Sequence, residues 1–163
     1  MGKRLLHVGC ANRYHEGFEN SDKMTGWDDK EYKLDRVMPL GEPWPRSNES
    51  VDGIVGMHVF QQLPWRELIV CFREAFRVLK PGGVLRMGIP TAEMTGRKLE
   101  WLLGWNNVNL LNEQILRDVL VDHIGFKQLR ERGFRRSRIK ELGKVDNREK
   151  RFTKYFEATK HEN

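Results

Sequence analysis

Short hydrophobic runs and two longer amphipathic segments follow one another along the chain. The runs predict β-strands in RLLHVG (residues 4–9), GFENSD (17–22), VDGIVGMHVF (51–60) and GVLRMGIP (83–90), with a weaker one in YKLDRVM (32–38). The runs are six to ten residues long, and each contains or is bounded by glycine, proline or polar residues, as strands in a buried sheet usually are.

Two segments have the apolar spacing of helices. In LPWRELIVCFREAFRVLK (63–80), apolar side chains recur on one helical face, Pro64 suits the first turn, and the following KPGG is expected to end the helix. A second helix is predicted in NEQILRDVLVDHIGF (112–126), begun by Asn112 and closed by Gly125.

The order of these elements predicts an α/β fold. Strands that alternate with helices form a mostly parallel, doubly wound sheet that is covered on both faces. The late segments FKQLRERGF (126–134) and RFTKYFEATK (151–160) predict an antiparallel C-terminal hairpin. We expect one compact domain over residues 1–163, with its ligand at the carboxyl ends of the strands.

The composition indicates where the protein is located and what kinds of partner it can bind. No apolar stretch approaches the ~18–20 residues that cross a membrane. The two cysteines, Cys10 and Cys71, fit neither a disulfide framework nor a zinc pattern, so we expect no metal site and a cytoplasmic location. Residues 125–163 contain 13 of the 29 Lys and Arg residues but only 6 of the 23 Asp and Glu residues. This basic quarter is compatible with an anionic partner and equally with a solvated surface.

The turn after the first strand is the first candidate for chemistry. Gly9, Cys10 and Ala11 form a small-residue turn in which backbone N–H groups can approach a ligand. Asp22 ends the next strand and is placed to accept hydrogen bonds from both hydroxyls of a ribose. Together these features indicate a cofactor that contains adenosine, although a full G-x-G-x-x-G pattern is missing.

Four stretches resemble the class I S-adenosylmethionine-dependent methyltransferases of the type 11 group, which have a Rossmann-like fold. They are LLHVGCANRYHEGFENSD (5–22), EPWPRSNESVDGIVGMHVF (42–60), FREAFRVLKPGGVLRMGIP (72–90) and the closing hairpin from GFRRSRIKEL (133–142) to RFTKYFEATK (151–160). The third is the most specific, because it is similar to the family's helix-turn-strand pattern.

The resemblance implies S-adenosyl-L-methionine as the cofactor and assigns residues to it. Backbone groups of Gly9, Cys10 and Ala11 would line the methionine part, and Asp22 would hold the ribose. The remaining assignments place Leu40 near the adenine, and Met57 and His58 towards the sulfonium and the acceptor. His58 is the candidate catalytic base, since its ordinary pKa of ~6.5 suits proton transfer; the alternative is a histidine that only shapes the pocket.

The chain departs from the family pattern at several positions. Ala11 replaces a glycine, which is tolerable only if its φ is negative, because the left-handed region is costly for alanine. Pro39 stands where relatives have an aspartate, and Gln61 and Gln62 replace an acid and an imidazole. We expect a compact domain without the N-terminal extension that many relatives carry, and the stretch with Trp101 and Trp105 is modest for a substrate lid. The pocket is therefore expected to be either open or completed by a homo-oligomer.

Three functions follow as expectations. The first is methyl transfer from S-adenosylmethionine to an oxygen or nitrogen of a small-molecule or sugar acceptor. The second is a methyltransferase fold that has lost catalysis and serves as a binding or scaffolding module, motivated by Ala11, Pro39 and the glutamine pair. The third is a methyltransferase acting on nucleic acid through Arg130, Arg132, Arg135, Arg136 and Arg138.

Overall fold

The fold is a mixed sheet with helices packed against it, as the computed structural model of residues 2–27, 30–90, 108–146 and 153–162 shows. Within these residues seven strands form one sheet in the order β5-β2-β1-β6-β7-β9-β8. The sheet strands are β1 (Leu5–Val8), β2 (Glu19–Asp22), β5 (Arg36–Val37), β6 (Val51–Met57), β7 (Leu79–Pro90), β8 (Gln128–Arg132) and β9 (Thr153–Thr159). Two further strands, β3 (Gly26–Trp27) and β4 (Lys30–Glu31), form a separate antiparallel ribbon.

The sheet has the predicted parallel core and antiparallel end. Strands β5, β2, β1, β6 and β7 run parallel, and β9 pairs antiparallel with both β7 and β8. The chain winds from β1 to β2 and β5 on one side, and from β6 to β7 on the other. The direction of winding therefore reverses between β1 and β6, which is where such sheets bind ligands.

Two helices cover one face of this sheet. Helix α1 (Trp65–Val78) follows Pro64, and helix α2 (Glu113–Arg117) continues as a π-helical segment over Asp118–Ile124. The predicted ends of the second helix are confirmed. Asn112 Oδ1 accepts a hydrogen bond from the backbone of Ile115 at 2.8 Å, and Gly125 ends the segment with a φ of +104°.

The two faces of the sheet bury different clusters, because successive residues of a strand point to opposite sides. Leu6, Ile54 and Leu85 pack with the helices, whereas their neighbours Leu5, Val55 and Val84 pack under residues 133–146. Helices were expected on both faces. Within the described residues the second face is instead covered by this irregular segment, whose only helical part is a short 3₁₀ turn at Leu142–Val145.

Two further expectations about the elements were wrong in detail. The KPGG sequence does not end α1, since the helix stops at Val78 and β7 begins at Leu79. Pro81 and the two glycines lie inside β7, beside an irregularity in its pairing with β6, and Gly82 has a φ of +74° that suits such a break. The third strand, predicted over 32–38, is reduced to Arg36–Val37 at the sheet edge.

Among the described residues, no helix has the length and apolar character that a bilayer crossing requires. The same residues contain no group of three or more His, Cys, Asp or Glu side chains arranged to hold a metal ion. Trp101 and Trp105 lie outside the described residues, as does the part of the C-terminal connection over 147–152.

Candidate functional site

A cleft of about 410 Å³ opens at the carboxyl ends of β1, β2 and β6, at the point where the winding reverses. We call it the rim cleft. Six of the seven residues that the sequence assigned to the cofactor line it: Gly9, Ala11, Asp22, Leu40, Met57 and His58. The topology thus brings together residues that are up to 49 positions apart in the sequence, from Gly9 to His58.

Gly9 is required by both conformation and space. Its φ of +60° lies in the left-handed region, and a Cβ at this position would lie 2.4 Å from Cγ2 of Val59. The chain can therefore leave β1 and pass under Val59 only with a glycine here. This close approach explains why the first strand ends in glycine.

Ala11 is also left-handed, with a φ of +48°. The expectation that an alanine at this position has a negative φ is therefore wrong. Left-handed backbone costs an alanine about 1–2 kcal/mol. The strained residue is held by Asp22, whose Oδ2 accepts a hydrogen bond from the Ala11 backbone N–H at 2.9 Å. The other oxygen, Oδ1, accepts from the backbone N–H of Met24 at 3.3 Å. Asp22 therefore clamps the first turn to the loop after β2.

Cys10 is the one assigned residue that does not line the rim cleft. Its side chain is buried, and its backbone N–H donates to the carbonyl of Ser21 at 3.1 Å. Burial raises the pKa of its thiol to about 12, and the nearby Asp22 carboxylate acts in the same direction. The thiol is thus neutral at physiological pH and serves as a small core residue rather than a nucleophile.

The rest of the cleft combines apolar and acidic groups. Leu40, Met57 and Leu63 give it an apolar wall, while Glu42 and Glu67 add carboxylates to that of Asp22. Glu67 reaches the cleft from the first turn of α1, because Gly41 lacks a side chain; a Cβ on Gly41 would lie 2.5 Å from Cγ of Glu67. No sequence signal distinguishes Glu67 as a site residue, because the pattern around it indicates only a helix.

His58 stands at the exit of β6 in a left-handed conformation, with a φ of +57°. Its Nε2 lies 2.7 Å from Oγ1 of Thr153, and its backbone N–H donates to the carbonyl of Gly88 at 2.9 Å. Thr153, which no sequence motif indicates as a site residue, is buried at the start of β9. The imidazole is therefore oriented by the C-terminal strand.

The two glutamines that replace titratable residues of the family have a common partner. Nε2 of Gln61 and Nε2 of Gln62 both donate to the backbone carbonyl of His58, at 2.8 and 2.9 Å. The backbone carbonyl of Gln61 accepts hydrogen bonds from the backbone N–H groups of Val108 and Asn109. The pair fixes the turn that carries His58, a role that neutral amides fill without any titration.

The comparisons with known proteins agree with this geometry. A family model described as "Methyltransferase domain" matches residues 6–87, which is half of the chain. The chain belongs to this methyltransferase family, the type 11 group. The match spans the Gly9 turn, Asp22 and the exit of β6, so it covers the strands that build the rim cleft. No curated protein matches the chain in sequence.

Solved methyltransferases share the fold. A SAM-dependent methyltransferase from Archaeoglobus fulgidus superposes with a TM-score of 0.69 at 14% identity, over 97% of this chain and 86% of that chain. One from Thermotoga maritima gives 0.66 at 15% identity, over 98% and 83%. A chain from the Haloferax volcanii complex with the Trm112 methyltransferase activator gives 0.65 at 16% identity, also over 98% and 83%. At these identities the likeness establishes the Rossmann-like fold, which was predicted, and not the acceptor.

Proposed function

We propose that this protein binds S-adenosyl-L-methionine in the rim cleft and transfers its methyl group to an oxygen or nitrogen of a small-molecule or sugar acceptor. The observation that carries the proposal is the clamp between Asp22 and Ala11 beside the left-handed Gly9, at the carboxyl ends of β1 and β2. This clamp presents a carboxylate and a tight backbone turn to the same cleft.

The residues present fit the cofactor. A volume of about 410 Å³ lies within the roughly 300–1,000 Å³ typical of small-molecule sites. Three carboxylates, those of Asp22, Glu42 and Glu67, and one cation, Lys23, line the cleft, and this excess of negative charge suits a ligand with a sulfonium and an ammonium group. Among the described residues each Asp22 oxygen accepts one hydrogen bond, and a carboxylate oxygen can accept a second one from a ribose hydroxyl.

The cofactor supplies the activated methyl group and the leaving group, so the chain's own task is to position two reactants and exclude water. Asp22 would orient the ribose while it holds the turn, and the apolar wall at Leu40 would receive the adenine. His58 would take the acceptor's proton as a general base, oriented by its contact with Thr153.

Cofactor binding is tested by isothermal titration calorimetry with S-adenosylhomocysteine. We expect binding by the wild-type protein and an affinity at least about tenfold lower in Asp22→Asn, since hydrogen bonds to a charged group contribute about 1.5–3 kcal/mol. Glu16→Gln is the matched control, because this exposed carboxylate lies in the same β1–β2 connection but outside the cleft. Absence of heat from the wild-type protein at millimolar ligand would refute the proposal.

The role of His58 is tested separately, by methyl transfer to a panel of hydroxyl and amine acceptors. We expect His58→Gln to lower kcat and abolish the acidic limb of its pH profile, with the affinity for S-adenosylhomocysteine changed less than about threefold. If His58 only shapes the pocket, cofactor affinity will fall and the pH profile will keep its form.

A second candidate function is a binding or scaffolding module without catalysis. The observation that favours it is that His58 and both glutamines engage the protein itself, through Thr153 and the His58 carbonyl. This reading predicts cofactor binding without turnover of any acceptor. A nucleic acid acceptor is less supported, because Arg132 and Arg138 are paired with Glu157 and Glu162.

A further inference from the structure

A second concave surface lies on the segment that covers the other face of the sheet. This basic cavity, of about 380 Å³, is lined by Arg135, Lys140, Gly143 and Lys144. None of these residues lines the rim cleft. This segment, residues 133–146, begins directly after β8, and its hydrophobic side chains, including Leu142 and Val145, pack on the sheet. The cations therefore stand on a folded support rather than on a free loop.

The backbone around the basic cavity is specially shaped. Arg135 has a φ of +57°, which is uncommon for a residue with a side chain, and its N–H donates to Oδ2 of Asp146 at 2.6 Å. Gly143 lies directly against it, since a Cβ on Gly143 would be 2.7 Å from the Arg135 carbonyl oxygen. Strained backbone of this kind persists only where the surroundings impose it, and it is often found at binding sites.

A buried ion network imposes it here. Arg86, on β7, is fully buried and donates Nε and Nη2 to the carboxylate of Asp146, at 2.9 and 2.5 Å. Its remaining donors reach Glu157 Oε1 at 3.0 Å and the carbonyls of Arg136 and Gly133, at 3.0 and 3.2 Å. Asp146 thus joins the sheet to the strained Arg135 backbone, and the network holds both ends of the segment.

The three cations at the cavity lack ion-pair partners in the described part of the chain. Within residues 2–27, 30–90, 108–146 and 153–162, neither Arg135, Lys140 nor Lys144 forms an ion pair. Asp146 is engaged by Arg86, and Glu141 by Lys3 at 3.3 Å, although Lys144 is also near enough to Glu141 to help lower the pKa of that carboxyl. Arg135 is held over the ring of Phe134, with 5.1 Å between its Cζ and the ring centroid.

We infer that the basic cavity is a phosphate-binding site, separate from the cofactor cleft. Three cations without an ion pair among the described residues line one concave surface, and Arg86 engages the Asp146 carboxylate beneath it, so the surface attracts a compact anion. A phosphate reaches the site either as part of a nucleic acid backbone or on a phosphorylated small molecule. The inference does not depend on methyl transfer.

The test uses the full-length protein and two probes, pyrophosphate by calorimetry and a labelled single-stranded RNA by fluorescence anisotropy. The variant Lys140→Ala/Lys144→Ala removes two charges from the cavity. The control Lys127→Ala/Arg130→Ala removes two exposed charges of the same C-terminal quarter that lie outside it. Melting temperature and affinity for S-adenosylhomocysteine are measured for all three proteins, and both are expected to remain at the wild-type value.

We expect the cavity variant to bind pyrophosphate about tenfold more weakly than the wild type, and the control to differ less than twofold. If RNA binding is lost in parallel, and its salt slope falls by about 0.7 per lost phosphate contact, the phosphate belongs to a nucleic acid. If only pyrophosphate binding responds, it belongs to a small molecule. No binding of either probe at millimolar pyrophosphate and micromolar RNA, or equal losses in the cavity variant and the control, would overturn the inference.

Discussion

Replacing Arg86 with methionine should be among the most destabilising single changes in this protein. Arg86 uses its guanidinium donors on two carboxylates and two backbone carbonyls, and its side chain is fully buried. Methionine has a similar length but no charge, so Asp146 would be left as a buried anion without its cation, and among the described residues Glu157 would keep only its contacts with Arg132 and the Arg138 backbone. Breaking a buried pair from one side costs about 3–5 kcal/mol.

That cost is a large part of the total, since domains are stable by about 5–15 kcal/mol. At about 2–4 °C per kcal/mol for a chain of this size, the melting temperature should fall by roughly 6–20 °C. Arg132→Met is the matched control, because the half-exposed Arg132 contacts the same Glu157 carboxylate at 3.1 Å. Its loss should cost about 1 kcal/mol or less.

The assay is thermal and urea unfolding followed by circular dichroism. Adding Asp146→Leu and Glu157→Leu to Arg86→Met should restore part of the lost stability, since the buried anions are removed, but not all of it, because the backbone N–H groups of Arg135 and Arg138 lose their acceptors. The reasoning fails if Arg86→Met unfolds within about 1 kcal/mol of the Arg132→Met control.

Three further predictions follow from the turn and its neighbours. Ala11→Gly should raise the melting temperature by roughly 1–3 °C, because glycine relieves the left-handed strain, whereas Ala75→Gly inside α1 should lower it. Gly9→Ala should destabilise the fold and weaken binding of S-adenosylhomocysteine in calorimetry, since the new Cβ would meet Val59. Burial lowers the pKa of His7 from 6.5 to about 4, so the unfolded chain binds the proton first and stability should fall by roughly 3 kcal/mol as the pH drops from 6.5 to 4. Urea unfolding across this range should show a smaller loss in His7→Gln than in the wild type, and the remaining loss should include that of His15, whose pKa burial also lowers.

Much of the fold could be predicted from local patterns. The strands around Leu6, Ile54 and Leu85 are short apolar runs, and α1 repeats apolar side chains with helical spacing. These features depend on neighbours within a few residues. Asn112 and Gly125 were also identified correctly as helix ends, since caps are local hydrogen-bonding and conformational requirements.

Most residues of the site could be predicted from the sequence, but their contacts could not, because these contacts join distant segments of the chain. The sequence indicated a glycine turn and an acidic residue, but it did not indicate that Asp22 would hold Ala11 in a left-handed conformation. It also gave no reason to connect His58 with Thr153, 95 residues away, or Glu67 with the rim cleft. Each of these relations requires the strands to be placed side by side first.

By itself, the sequence determined the order of strands and helices, the glycine at the end of β1 and the resemblance to the methyltransferase family. Only the tertiary structure decided which segment covers the second face, and that Arg86 meets Asp146 and Glu157, 60 and 71 residues further on. The physical reason is that backbone periodicity is set by near neighbours, whereas the pairing of buried charges depends on which side chains the packed sheet brings together.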